Sequence, residues 1–158
     1  MAEKKRMAII ASKGTLDMAY PPLVLASTAA SMDVEVRIFF ILYGVDIVNK
    51  KKNCNLMIAP IANPALPSPI HFPNIVGVLP GMTPVATMMA KRILKRIDWP
   101  PIPDLVNICI ESGVRMIAFT PTLEMTGVKK SDLVEGVEIA GAAAFIDFAL
   151  DANISLFI

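Results

Sequence analysis

The sequence predicts a parallel α/β fold, in which a single domain carries a five-stranded sheet with helices on both faces. Three observations lead to this class. Short, continuous apolar runs are typical of strands that are covered on both faces. They alternate with longer segments of helical periodicity, and the first strand, helix and strand have the size of a right-handed parallel unit. A length of 158 residues is enough for one sizeable core.

The first unit is the clearest. Residues 6–12 (RMAIIAS) form a continuous apolar run, and a turn containing Gly14 follows. An Ala-rich helix is predicted next, with Asp17 near its start, where an acidic side chain complements the helix dipole. β-Branched and aromatic residues then predict a second strand at residues 34–42 (VEVRIFFIL), and Tyr43 with Gly44 opens the following turn.

The remaining elements continue the alternation. Gly113 ends one predicted helix, and a break at Pro121 separates the fourth strand from a helical segment that resumes at about Leu123. In chain order the predicted elements are a strand at 74–81, helices at 83–97 and 102–113, a strand at 114–121, a helix at 137–153 and a strand at 154–158.

The composition excludes several classes of function. The 15 Lys and Arg residues nearly balance 14 Asp and Glu residues, so no overall basic field favours a nucleic acid. Two cysteines and the absence of a signal-like start predict a cytoplasmic protein without a disulfide framework. No pattern indicates a cofactor.

Residues 53–90 contain no Lys, Arg, Asp or Glu and are rich in proline. Repeated Pro and Gly argue against a transmembrane helix, which needs about 20 uninterrupted apolar residues. Contact of this segment with a membrane surface or with a partner stays open, and liposome flotation would test the first. The mean hydropathy of +0.58 predicts that part of the apolar surface is buried between subunits. The helix with the methionines at 82, 88 and 89 is expected to bury its apolar face against another subunit or a partner protein.

Three stretches together resemble the DsrE/DsrF-like family: SKGTLDMAYPPLVLASTAASMDVEVRIFFILYG, NPALPSPIHFPNIVGVLPGMTPVATMMAKRI and ESGVRMIAFTPTLEMTGVKKSDLVEGVEIAG. They are nearest to the subgroup with NPAxP and PGMT motifs, here at residues 63–67 and 80–83. The resemblance covers nearly the whole chain. It implies a parallel α/β sandwich that assembles into trimers or hexamers. It also implies sulfane sulfur carried on a cysteine and passed to TusA-like carriers or heterodisulfide-reductase-like complexes.

The same resemblance places the family's carrier cysteine at Phe119, which cannot form a persulfide. Thr120 and Thr122 follow it, and the nearby sequence offers no base that would activate either hydroxyl. We therefore expect a loop that binds or assembles rather than reacts, with Phe119 packed and the two threonines lining a shallow pocket.

Two cysteines remain as candidates for sulfur chemistry. Cys54 follows three lysines at 50–52, whose charge would favour the thiolate, although an incidental surface cysteine is the simpler interpretation. Cys109 shares a predicted helix face with Leu105 and Val106, which indicates a small buried hydrophobe. Neither cysteine has the CxxC spacing of a redox or zinc site.

The turn after the first strand is a further candidate. Ser12, Gly14 and Thr15 lead into a helix N-terminus, where amides cradle anions such as thiosulfate or phosphate. The glycine spacing of a P-loop or dinucleotide fingerprint is missing, so a structural turn is favoured over a family-like cleft between this loop and the one at Thr120. His71 is the only histidine and has no acidic neighbour, so no metal site is predicted.

Two main functions follow from the sequence. The first is a non-catalytic, accessory DsrE-like subunit that binds a sulfur carrier or an enzyme complex. The second is an active sulfur carrier or sulfurtransferase that uses Cys54. A membrane-peripheral adaptor is a third alternative.

Overall fold

A computed structural model describes residues 5–59 and 79–158 of the chain. The strands are β1 (Arg6–Ala11), β2 (Glu35–Phe40), β3 (Arg115–Phe119), β4 (Glu138–Ala140) and β5 (Ile154–Phe157). The helices are α1 (Leu16–Ser31), α2 (Met82–Arg96), α3 (Ile102–Glu111), α4 (Thr120–Thr126) and α5 (Ala142–Leu150), with short 3-10 helices at Leu42–Val48, Asn53–Asn55 and Lys130–Asp132.

The five strands of the described chain form one parallel sheet in the order β4-β3-β2-β1-β5. Side chains alternate between its two faces, as the pleat requires. Ile38 and Phe40 of β2 belong to the larger core, together with residues of α1 and α3. Phe39 points the other way and packs with Phe145 and Phe148 of α5. The predicted fold class, a five-stranded parallel sheet with helices on both faces, is confirmed.

Two predicted elements differ from the structure. The strand predicted at 74–81 lies mostly outside the described residues, and its described end at 79–81 is a turn that leads into α2. The helix predicted at 137–153 was wrong at its start, because Glu138–Ala140 is strand β4 and pairs with β3. Gly136 and Gly141 flank this short strand, so the Ala-rich helix begins only at Ala142. Pairing with β3 outweighs the local helical pattern.

The helix predicted to resume at about Leu123 begins three residues earlier, at Thr120. Pro121 lies in its first turn, where backbone N–H groups have no acceptor within the helix, so the N–H that proline lacks is not needed. The fixed φ of proline also suits the helix. The proline therefore starts α4 and does not interrupt the chain between strand and helix.

An ion pair joins β3 to the edge strand β4, and its removal gives a first prediction. Arg115 donates from Nε and Nη2 to the two carboxylate oxygens of Glu138, at 2.8 and 2.6 Å. These hydrogen bonds hold the pKa of Glu138 below its ordinary value, while partial desolvation opposes them. Because both side chains are 46% exposed, we expect Glu138→Gln to lower the free energy of unfolding by less than about 1 kcal/mol at pH 7.

The stabilisation by ionised Glu138 is present above the pKa of the unfolded chain and is lost as the pH falls through the lower folded pKa. The difference between parent and Glu138→Gln in urea unfolding should therefore shrink below about pH 4. Glu135→Gln is the control, since Glu135 is exposed and has no ion pair within the described ranges. An unchanged difference at pH 3 would contradict this account.

Candidate functional site

The carboxyl ends of β1, β2 and β3 lie side by side, because these three strands are neighbours in a parallel sheet. In open α/β sheets, ligands bind at this edge. The segments that follow the three strands contain the sequence candidates Ser12, Gly14, Thr15, Thr120 and Thr122. The burial and hydrogen bonds of these residues determine which of them could contact a ligand at this edge.

The loops after β1 and β2 are in direct backbone contact through two glycines. A methyl group on Gly44 would overlap the carbonyl oxygen of Ala11, and one on Gly14 would overlap that of Tyr43. The amide of Gly44 donates to the carbonyl oxygens of Ile41 and Ser12, at 2.9 and 3.2 Å. Gly14 therefore serves close packing between two loops.

Helix α4, which follows β3 directly, is joined to the loop after β2 through Thr122. Its side chain is buried, and its Oγ1 accepts a hydrogen bond from the amide of Leu42 at 3.0 Å. Leu42 has a φ of 49°, a left-handed conformation that is rare for a branched side chain. The hydroxyl of Thr122 thus holds a strained residue at the end of β2 and is not free to line a pocket. Thr120 is half-buried at the start of α4.

Phe119, the position at which the resemblance places a carrier cysteine, is the last residue of β3. Its ring lies 5.3 Å from that of Phe39, which in turn stacks on Phe145 at 5.2 Å. Aromatic pairs at such distances add about 0.5–1.5 kcal/mol beyond the burial of their area. On the loop after β2, Leu42 and Tyr43 are 48% and 74% exposed.

The first loop offers little to an anion. Ser12 donates through its amide and its hydroxyl to the carbonyl oxygen of Ile158, at 2.7 and 2.9 Å. The first amide of α1, that of Leu16, donates to the carbonyl oxygen of Met57 at 2.8 Å. Thr15 precedes α1, and its Oγ1 is buried without a hydrogen-bond partner in the described part of the chain. The structural interpretation of this turn is therefore the better supported one.

Cys54 is exposed and lies in the short 3-10 helix Asn53–Asn55. Two of the three lysines that precede it bind carboxylates: Lys51 contacts Asp132 at 2.6 Å, and Lys52 contacts Asp46 at 2.8 Å. The contact with Lys51 lowers the pKa of Asp132. The positive charge expected to act on the thiol is thus largely engaged elsewhere.

Cys109 is fully buried beneath α1, and its Sγ donates to the carbonyl oxygen of Leu23 at 3.3 Å. Burial raises the pKa of this thiol to about 12. The prediction of a small buried hydrophobe is confirmed, and the raised pKa disfavours the thiolate, which is the reactive form. Cys54 is then the one exposed cysteine of a chain that has two.

A groove of about 390 Å³ lies between α2 and the segment after Cys54. No local pattern in the sequence indicates this groove, because it depends on the packing of α2 against residues that are distant in sequence. Its apolar surface comes from Met57, Pro84 and Met88, and its charged residues are Lys91, Arg92 and Lys95.

Several sequence candidates lie outside the described residues. These are His71, the NPAxP motif at 63–67 and most of the segment at 53–90 on which the membrane-surface alternative depends. Within the described ranges, His, Cys, Asp and Glu form no group of three or more that could hold a metal ion. None of the helices described there is long and apolar enough to cross a membrane.

The fold and the carboxyl edge of the sheet define the class of the protein. It is a parallel α/β protein in which an aromatic residue, Phe119, is the last residue of the interior strand β3. The model of the DsrE/DsrF/DrsH-like family matches residues 3–157, and the chain belongs to this family.

Comparisons with individual proteins agree with this assignment. The chain is 43% identical over 160 residues to the sulfur carrier protein DsrE2 of Allochromatium vinosum, covering 99% of both chains. It is 27% identical over 160 residues to the uncharacterized protein YrkE of Bacillus subtilis, covering 99% of this chain and 98% of that one. The crystal structure of the ychN protein from E. coli has the same fold, with a TM-score of 0.56, 12% identity and coverage of 98% and 99%.

Proposed function

We propose that this protein takes part in sulfur trafficking as an accessory member of its family, which binds a sulfur-carrier or heterodisulfide-reductase-like partner. Kinship with a sulfur carrier protein supports the general role. One observation supports the accessory role: the ring of Phe119, at the position where the family resemblance places the carrier cysteine, packs on Phe39. A phenyl ring cannot take up sulfane sulfur.

The edge beside Phe119 supports binding as its task. Tyr43 and Leu42 present apolar surface to solvent, and the strained backbone of Leu42 is held by Thr122. Strain that the surrounding structure maintains is concentrated at functional sites. Aromatic side chains such as Tyr43 are also enriched among the residues that dominate interface energies.

Binding to a purified TusA-like carrier, measured by calorimetry, tests this surface. We expect Tyr43→Ala to weaken the complex at least about 10-fold, the loss of one contact of about 1.4 kcal/mol. Met32→Ala is the control, since Met32 is 72% exposed but follows α1 at the opposite edge of the sheet. If the parent and Tyr43→Ala bound the carrier with equal affinity, the carrier would have to bind a different surface of the protein.

The second candidate function is an active carrier that uses Cys54, and the exposure of this thiol favours it. Mass measurement of the intact protein after incubation with tetrathionate or a persulfide donor separates the two. The accessory role predicts little or no stable mass increase. A stoichiometric adduct on Cys54, lost in Cys54→Ser along with transfer to a TusA-like acceptor, would overturn it and establish a sulfurtransferase.

Assembly and location are further parts of the proposal. Exposed apolar side chains on α5 and β5, namely Ile146, Leu150, Ile154 and Phe157, support a homo-oligomer, which the family resemblance suggests is a trimer or hexamer. Two unpaired cysteines are compatible with the proposed cytoplasmic location. Native mass spectrometry of the same samples would count the subunits, and a stable monomer at micromolar concentration would exclude the assembly.

A further inference from the structure

The groove beside α2 is built by side chains at regular helical spacing. Thr87 and Lys91 are four residues apart, so they lie on one face of α2. The Oγ1 of Thr87 accepts from the amide of Ile58 at 3.1 Å, and Lys91 Nζ donates to the carbonyl oxygen of Cys54 at 3.0 Å. These two hydrogen bonds fix the segment from Cys54 to Ile58 against the helix and give the groove a defined wall.

The groove combines apolar surface with positive charge. Met57 and Met88 are about half exposed along it, at 51% and 47%. Arg92 and Lys95 line it as well and have no carboxylate partner in the described part of the chain. The sequence contains no Asp or Glu between Asp46 and Asp98, so no acidic residue within that span can compensate these cations.

We infer that this groove binds a small organic anion, with an apolar stem against the methionines and an anionic group on Arg92 and Lys95. Its volume of about 390 Å³ is within the range of small-molecule sites, which hold an apolar body and fix it with few polar groups. Arg92 supplies a planar fork of donors and Lys95 a point charge, and both suit a carboxylate or a sulfonate. This binding is separate from the proposed sulfur trafficking.

Two fluorescent probes that differ in one group test the inference. The probe 8-anilinonaphthalene-1-sulfonate carries an apolar ring system and a sulfonate, and N-phenyl-1-naphthylamine is the same molecule without the sulfonate. We expect saturable binding of one sulfonate probe per chain, at least tenfold weaker binding of the neutral probe, and weaker binding of the sulfonate at higher salt.

The double variant Arg92→Gln/Lys95→Gln should bind the sulfonate at least tenfold more weakly than the parent. The control Lys13→Gln/Lys130→Gln removes the same charge from exposed positions outside the groove and should change the affinity less than twofold. Met88→Glu is a second variant, which adds a negative charge at a half-exposed site and should abolish sulfonate binding.

Circular dichroism establishes that each variant is folded. Equal affinities for the two probes, or equal sulfonate affinities in the parent and the folded Arg92→Gln/Lys95→Gln variant, would overturn the inference. Either result would mean that the sulfonate probe binds exposed apolar surface in general.

Discussion

Gly44→Ala is expected to lower the free energy of unfolding by about 3 kcal/mol or more, at the upper end of what overpacking costs. Gly44 is buried where the loops after β1 and β2 cross, and a Cβ there would overlap the carbonyl oxygen of Ala11. That oxygen also accepts from the amide of Ile41 at 3.0 Å. The neighbouring backbone can move away only by breaking this hydrogen bond and shifting the end of β1.

Gly141→Ala is the matched control for this change. Apart from its own chain neighbours, no heavy atom of the residues that the structure describes lies within 4 Å of the position that its Cβ would occupy, and its φ of −86° is open to any residue. Because Gly141 precedes α5, where alanine is a poorer cap than glycine, a cost of less than about 1 kcal/mol is expected. Urea unfolding of the two variants measures the difference, and equal losses would show that the Gly44 contact relaxes easily.

The sheet could be predicted from the sequence because its central strands are short, continuous apolar runs. The runs around Ile9, Phe39 and Ile117 are covered on both faces, and each is a continuous apolar run that is short for a helix, which favours a buried strand. β4 has three residues and precedes an Ala-rich segment, so its local pattern favoured a helix. Only its pairing with β3, a contact across about 20 residues, makes it a strand.

The candidate site was less predictable, since its decisive contacts join distant parts of the chain. The sequence shows no partner for the three lysines before Cys54, but Asp132 binds Lys51 from about 80 residues away. The hydroxyl of Thr122 likewise accepts a hydrogen bond from the amide of Leu42. No spacing in the sequence indicates this contact. The groove requires α2 to pack against residues 54–58, so its charged residues appeared only as the basic face of a helix.

The second large effect is expected at Phe119, where a thiol should create sulfur loading that the parent lacks. The Cα of Phe119 lies at the carboxyl end of β3, between the edge loops and α4, and the resemblance places the family's carrier at this residue. Replacing the ring removes its contact with Phe39, which we expect to cost about 2 kcal/mol because Phe119 is only half-buried. The vacated volume gives a persulfide room beside Phe39.

The experiment uses Phe119→Cys in a Cys54→Ser background. Burial and a pKa of about 12 leave Cys109 unreactive, so any adduct is attributable to the new thiol at position 119. Phe119→Ser in the same background loses the same ring contact without gaining a thiol. After incubation with tetrathionate or a persulfide donor, intact mass should show sulfane sulfur on the cysteine variant and none on the serine variant. If the folded cysteine variant also stays unmodified, Phe119 does not occupy a dormant carrier site. The accessory role would then depend only on the binding of a partner at Tyr43.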